Sequence, residues 1–253
     1  MTARPRRSVL ACAIFAASVT GALAGCSSSD TPLTPTTAAS ATTTSAVPPA
    51  GVKPSSTPES ERALFDAVDR NDPAAVTAAL TAGANIEARG DGERTPLVEA
   101  TKNNAVAAAS TLILAGADVN AKDSMQDSAF LYSGAEGLNE ILALTLSHGA
   151  DVDSVNRYGG TALIPASEHA HVETVRMLIA AGVPVNHVND PGWTALLEAV
   201  VYGDGSARYV DVITQLLDAG ADPSIRDASG KTALDNAESR GQSDVVALLQ
   251  SRS

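Results

Sequence analysis

GGTALIPASEHAHVETVRMLIAAG, residues 159–182, carries two helical patterns back to back. After Thr161, the residues Ala162, Leu163 and Ala166 fall on one side of a run that stops near His169. Val172, Val175, Leu178 and Ile179 then recur at spacings of three and four, which marks a second helix with one buried side. A hydroxyl at Thr161 suits the amide-capping position of the first helix. Gly182 follows the second helix where a left-handed cap is expected. Alanines such as Ala162 and Ala166 let two antiparallel helices approach closely. One such pair buries too little surface to stand alone, so it needs neighbours of its own kind.

The chain supplies them. AGAN at 82–85, AGAD at 115–118, HGAD at 148–151, AGVP at 181–184 and AGAD at 219–222 place Gly83, Gly116, Gly149, Gly182 and Gly220 at three intervals of 33 residues and one of 38. A second marker keeps phase 12 residues after each glycine: Thr95-Pro96-Leu97, Ser128-Ala129-Phe130, Thr161-Ala162-Leu163, Thr194-Ala195-Leu196 and Thr232-Ala233-Leu234. These markers resemble the ankyrin repeat family, whose unit of 33 residues is a turn, two short helices and a loop. The resemblance covers about residues 60–250. It implies an all-α solenoid with short β-hairpin turns and about six units, of which the first and last are caps. The stretch from Glu59 to Ala67 lacks a preceding turn and suits an N-terminal cap. The polar run Glu238, Arg240, Gln242, Ser243 and Asp244 suits a water-facing C-terminal one.

Ahead of the repeats lie two segments of other character. Residues 1–25 have a basic start with Arg4, Arg6 and Arg7 and an apolar stretch from Val9 to about Ala24, as a signal peptide does. Leu23-Ala24-Gly25-Cys26 resembles a bacterial lipobox, which implies lipidation of Cys26 and cleavage before it. Ordinary secretory cleavage nearby and an uncleaved anchor are the competing readings. Arg6-Arg7-Ser8-Val9-Leu10 also resembles a twin-arginine export signal, and the choice between export routes stays open. Residues 26–58, rich in Ser, Thr and Pro, hold too few large apolar side chains to repay ordering and read as a flexible spacer. The repeat domain then spans 59–253. The expectation is a bacterial exported lipoprotein on the outer side of the cell membrane, or in the periplasm where an outer membrane exists.

The net charge is -12, with a run of arginines confined to the leader. This argues against nonspecific contact with nucleic acid. Aromatic residues make up 3% of the chain, so alanine and leucine must do most of the packing. The two cysteines, Cys12 and Cys26, leave the repeats without a thiol, which excludes disulfides and cysteine-held metals there. GxSxG, HExxH, GxGxxG and CxxC are all missing. His169 and His171 are two apart and do not share a helix face as metal ligands would. In the resembling family the equivalent of His171 ties adjacent loops. Neither metal, cofactor nor catalytic residue is expected.

The expected function is therefore to bind a protein partner, as the resemblance implies, through the concave face of hairpin tips and inner helices. The position two residues after each marker leucine points that way: Asp66, Glu99, Tyr132, Pro165, Glu198 and Asn236. Hairpin positions add Asp91, Met125, Arg157, Tyr158, Asn189, Asp190, Trp193 and Arg226. Trp193, the single tryptophan, suits an aromatic anchor within an acidic rim. It equally suits a cover for the neighbouring hairpin. The segment 200–213 carries five extra residues, and Tyr202, Arg208 and Tyr209 give it contact chemistry. Packing loop and partner contact are both open for it. The candidate interface is Tyr132, Arg157, Tyr158, Asp190, Trp193, Glu198, Tyr202 and Arg208. Two other functions remain: a small hydrolase or sugar-binding protein, which needs a closed pocket around Glu99, Tyr132, Glu198 and Trp193, and a passive envelope spacer. Finally, Glu93 and Gln126 stand where Gly159, Gly192 and Gly230 suit the hairpin, so the second and third turns are expected to be altered.

Overall fold

A computed structural model describes residues 55–252. The leader, Cys26 and the spacer up to residue 54 lie outside the described residues. Twelve α-helices follow in six pairs. These are α1 (Pro58–Asp69) with α2 (Pro73–Thr81), α3 (Pro96–Lys102) with α4 (Val106–Leu114), and α5 (Ala129–Ala135) with α6 (Asn139–Ser147). After them come α7 (Leu163–Glu168) with α8 (Val172–Ala180), α9 (Ala195–Val201) with α10 (Ala207–Asp218), and α11 (Ala233–Arg240) with α12 (Ser243–Gln250). Odd-numbered helices pack on odd ones to form an inner row, and even on even to form an outer row. Thr57 opens the first pair with a capping box on Ser60. The folded body therefore begins slightly before residue 59.

The hydroxyl markers do the expected work at four inner helices. Thr95, Ser128, Thr194 and Thr232 each accept a bond from the amide three residues on. Thr161 does not. Elsewhere the amide four residues on bonds to the cap residue's carbonyl, as Glu99 does to Thr95 and Glu198 to Thr194. In α7 that position is Pro165, which has no amide hydrogen. Ile164 takes the Thr161 carbonyl instead, and the buried Thr161 Oγ1 is left without a hydrogen-bond partner.

Hairpins join the pairs. Each is a tight turn closed by two backbone bonds, such as Asn156 N to Gly160 O at 2.9 Å with Gly159 N to Asn156 O at 3.0 Å, and no described residue lies in a strand. Against expectation, the third turn is not altered. Gln126 takes the left-handed conformation itself, with φ 62°, where Gly159 has φ 67°. The second turn does change: Glu93 is left-handed at φ 59°, and Gly92 before it is left-handed too, at φ 66°.

Side chains recurring with the repeat lock successive units. Asn120 donates to Gly149 O and accepts from Asp151 N, both at 2.9 Å. Asn186 holds Gly220 O and Asp222 N in the same way. Asp118, Asp151 and Asp222 each close a turn on the amide two residues on. The core is built of alanine, leucine and valine, with Phe130 its one fully buried aromatic among the described residues. It forms two clusters, one through the first three units and one from the third to the sixth, which meet at α5 and α6.

Candidate functional site

The inner helices and hairpins distribute the eight candidate residues over four places. At the third unit, the Tyr132 ring lies beneath the Lys102 ammonium, 4.2 Å from its centroid. Lys102 also reaches Asp127 Oδ2 at 2.7 Å and Asp123 Oδ2 at 3.4 Å. Asp123 Oδ2 has no partner within hydrogen-bonding geometry, so its compensation is ionic. Burial raises the Tyr132 pKa above the usual phenol range. Tyr132 thus belongs to an internal charge cluster that runs on through Arg94, bonded to Glu99 at 3.1 Å.

Arg157, Tyr158 and Asp190 meet at the tips of the fourth and fifth hairpins. The Arg157 guanidinium lies 4.6 Å from the Tyr158 ring centroid. Asp190 N donates to Tyr158 O at 2.9 Å, and His187 bonds to Gly159 O. Tyr158 stays 53% exposed.

Trp193, Glu198 and Tyr202 lie before, within and at the end of α9. Thr194 caps this helix at one end and Tyr202 at the other, yet the Trp193 and Tyr202 rings are only 6.2 Å apart, tilted by 54°. Glu198 sits between them in the chain and is 7% exposed. Its Oε1 accepts one long bond, 3.4 Å, from Asn189 Nδ2, and its Oε2 has no partner. Burial, with Glu168 of α7 nearby, pushes its pKa up to about 7. Burial and the same two carboxylates raise the Tyr202 pKa as well. Asn189 is fixed from the other side, where its Oδ1 accepts the Trp193 amide at 2.7 Å.

Arg208 stands apart from the other seven. The extra residues of this unit lengthen the interhelical link to five residues, 202–206, and make α10 twelve residues long where α8 has nine. Arg208 Nη2 donates to His169 O and Ala170 O at 2.9 and 3.1 Å, and Tyr209 Oη to Glu168 O at 2.8 Å. All three carbonyls close the end of α7. Gln242 Nε2 grips the link from the sixth unit through Val200 O and Gly203 O. A Cβ on Gly203 would overlap Ala199 O and the Tyr209 ring. These contacts give the insertion a packing role and leave Tyr202, 57% exposed, as its outward apolar residue.

Glu99, Tyr132, Glu198 and Trp193 fall in two separate clusters, Glu99 with Tyr132 and Glu198 with Trp193, rather than around one pocket. Glu99 lines a groove of about 480 Å³ with Arg62, Phe65, Asp69, Gly90, Asp91 and Arg94 at the first two units. The His171 ring packs against Gly137 in the preceding interhelical loop, so it does tie adjacent loops. Sequence reasoning missed Lys102, Asp127 and Glu168. They recur in no other unit, so periodicity offers no signal for them.

A model described as three copies of ankyrin repeats matches residues 130–227, and a single ankyrin repeat matches 92–124. Among solved structures, an ankyrin repeat domain from Acinetobacter baumannii AYE is 51% identical, with a TM-score of 0.73, over 75% of this chain and 96% of that one. The ankyrin repeat protein EF0377 is 39% identical, with a TM-score of 0.72, over 75% of this chain and 97% of that one. The chain belongs to the ankyrin repeat family, whose members commonly serve as scaffolds for protein–protein interaction.

Proposed function

We propose that the chain is a non-catalytic scaffold, tethered by lipid at Cys26 to the outer side of a bacterial cell membrane, that holds a protein partner on its inner face. One observation carries the binding part. Of the five large apolar side chains left exposed among the described residues, Met125, Tyr158, Val188 and Tyr202 lie on hairpins or at the end of α9, and only Leu114 lies on an outer helix. Aromatic and methionine side chains displayed on a rigid acidic frame are the composition of an interface centre. For the tether, the support is the lipobox-like Leu23-Ala24-Gly25-Cys26 at the end of an apolar leader. A diacylglyceryl group on that sulfur carries two acyl chains, which would anchor it stably where one chain alone would not.

Crosslinking followed by affinity capture of the full chain from native membranes tests the interface. A protein recovered with the wild type and lost with Tyr158→Ala and Trp193→Ala is the expected result. Arg208→Ala, which removes a packing contact, should still recover it. Equal recovery with all three variants would overturn the inner-face assignment. For the tether, Cys26→Ser should move the protein from the membrane to the soluble fraction, and persistence in the membrane would remove the lipid reading.

A further inference from the structure

The inner face can be compared with itself, unit by unit. The residue just before each capping hydroxyl and the residue five beyond it are Arg94 and Glu99 in the second unit, and Trp193 and Glu198 in the fifth. In the second unit the two pair at 3.1 Å, cation on carboxylate. In the fifth the carboxylate remains, but its cation has been replaced by an indole. Glu198 is left 7% exposed, with Oε2 unpartnered and one 3.4 Å bond on Oε1. A buried carboxylate with neither a cation nor a full set of donors is costly. Arg208, from the same unit, is held by the carbonyls of His169 and Ala170.

What surrounds Glu198 is suited to a cation from outside. The Trp193 and Tyr202 rings, which flank Glu198 in the chain, stand 6.2 Å apart, Tyr202 lies within electrostatic reach of Glu198, and aromatic faces attract guanidinium more than a hydrated ammonium. Glu168 adds a second negative charge from α7. We infer that Trp193, Glu198 and Tyr202 form a receptor for an arginine side chain carried by the protein partner, which takes at Glu198 the place that Arg94 takes at Glu99. The inference rests on the proposed scaffold function and adds the chemistry of the partner. Tyr202 is the ring with room to swing aside, because it is 57% exposed and caps the end of α9. The guanidinium then pairs with Oε2 and stacks on the indole.

Trp193 is the only tryptophan in the chain, so its fluorescence reports the site directly. The full chain is titrated with the peptide acetyl-Gly-Arg-Gly-amide and with its citrulline counterpart, which has the same shape without the charge. A saturable response to the arginine peptide is expected, weaker by about tenfold or more for citrulline and for the Glu198→Gln variant. Affinity for arginine should also rise between about pH 6 and pH 8 as Glu198 ionises. Trp193→Arg should rebuild the internal pair, raise the thermal midpoint and abolish the peptide-induced NMR shifts at Tyr202. Equal binding of the two peptides, or affinity unchanged by Glu198→Gln, would overturn the inference. A partner captured through Tyr158 while the arginine peptide fails to bind would leave the scaffold standing and remove the receptor. Peptide binding with no partner captured would do the reverse.

Discussion

Individual residues on the inner face differ in what their charge costs. Lys102 compensates Asp123 and Asp127 in a place where its own side chain is 12% exposed and that of Asp123 is 1% exposed. Removing one member of a buried ion pair strands the other, which costs about 3–5 kcal/mol. Lys102→Ala should therefore lower the stability of the stack by about that amount in urea denaturation, and Lys102→Met by no less, because the stranded charge is the same. Glu198 behaves in the opposite sense. Its folded pKa, near 7, lies above the ordinary value of 4.5. Between those two values the folded state binds more protons than the unfolded one, so this group's contribution is fully present below about pH 4.5 and is lost as pH rises through 7. Glu198→Gln should thus be close to neutral at pH 5 and stabilising by about 1–3 kcal/mol at pH 8. A thermal midpoint that changed equally at both pH values would show that ionisation is not the cause.

At the scale of the element, α7 is the one inner helix without its side-chain cap. Pro165 explains this, because it withdraws the amide that would occupy the Thr161 carbonyl and so draws the Ile164 amide away from the hydroxyl. Pro165→Ala should restore both bonds. The cap contributes about 1 kcal/mol and the added helical bond a similar amount, while the greater freedom of the unfolded chain takes back about 0.4–1 kcal/mol. A net gain of about 1 kcal/mol in chemical denaturation is expected, and a Thr161→Ala change in the same background should erase the cap's share. The sequence placed Pro165 among the inner-face positions of its unit. It did not show that the cost falls on the threonine four residues earlier, because that depends on which carbonyl each amide reaches. The hairpins teach a similar lesson. Glycine-to-glutamine replacement at 126 reads as a change of turn, yet the two closing bonds and the Asp123 carboxylate, which accepts from Met125 N and Asp127 N, hold the same conformation with a non-glycine residue in it.

For the whole molecule, the fold was legible because it is periodic. Glycine and hydroxyl markers at one phase identify six helix pairs without any knowledge of their contacts. The site was legible where a single residue stood out at its repeat position, as Trp193, Glu198 and Tyr158 do, whereas Lys102, Asp127 and Glu168 matter through pairings across units that the repeat pattern does not display. Arg208 was chosen for its charge, and only the approach of α10 to the loop after α7 reveals that its guanidinium is committed to backbone carbonyls. The same linear construction leaves a mechanical joint. Two core clusters meet at the third unit, where Phe130, fully buried, belongs to the C-terminal one, and Ala129 and Ile141 to the N-terminal one. In a stack held by nearest-neighbour contacts, weakening one interior interface uncouples the parts on either side. Phe130→Ala should cost about 3–5 kcal/mol through the cavity it opens, and it should also change the form of the transition. Trp193 reports only the fifth unit, whereas far-UV circular dichroism reports every helix. In the wild type the two probes should trace one urea transition, as a cooperative unit requires. In Phe130→Ala they should separate, because the units before the joint and those after it then unfold with different midpoints. Coincident transitions in the variant would show instead that the backbone and side-chain ties between units, such as Asn120 to Gly149 and Asp151, suffice to keep the stack a single cooperative body.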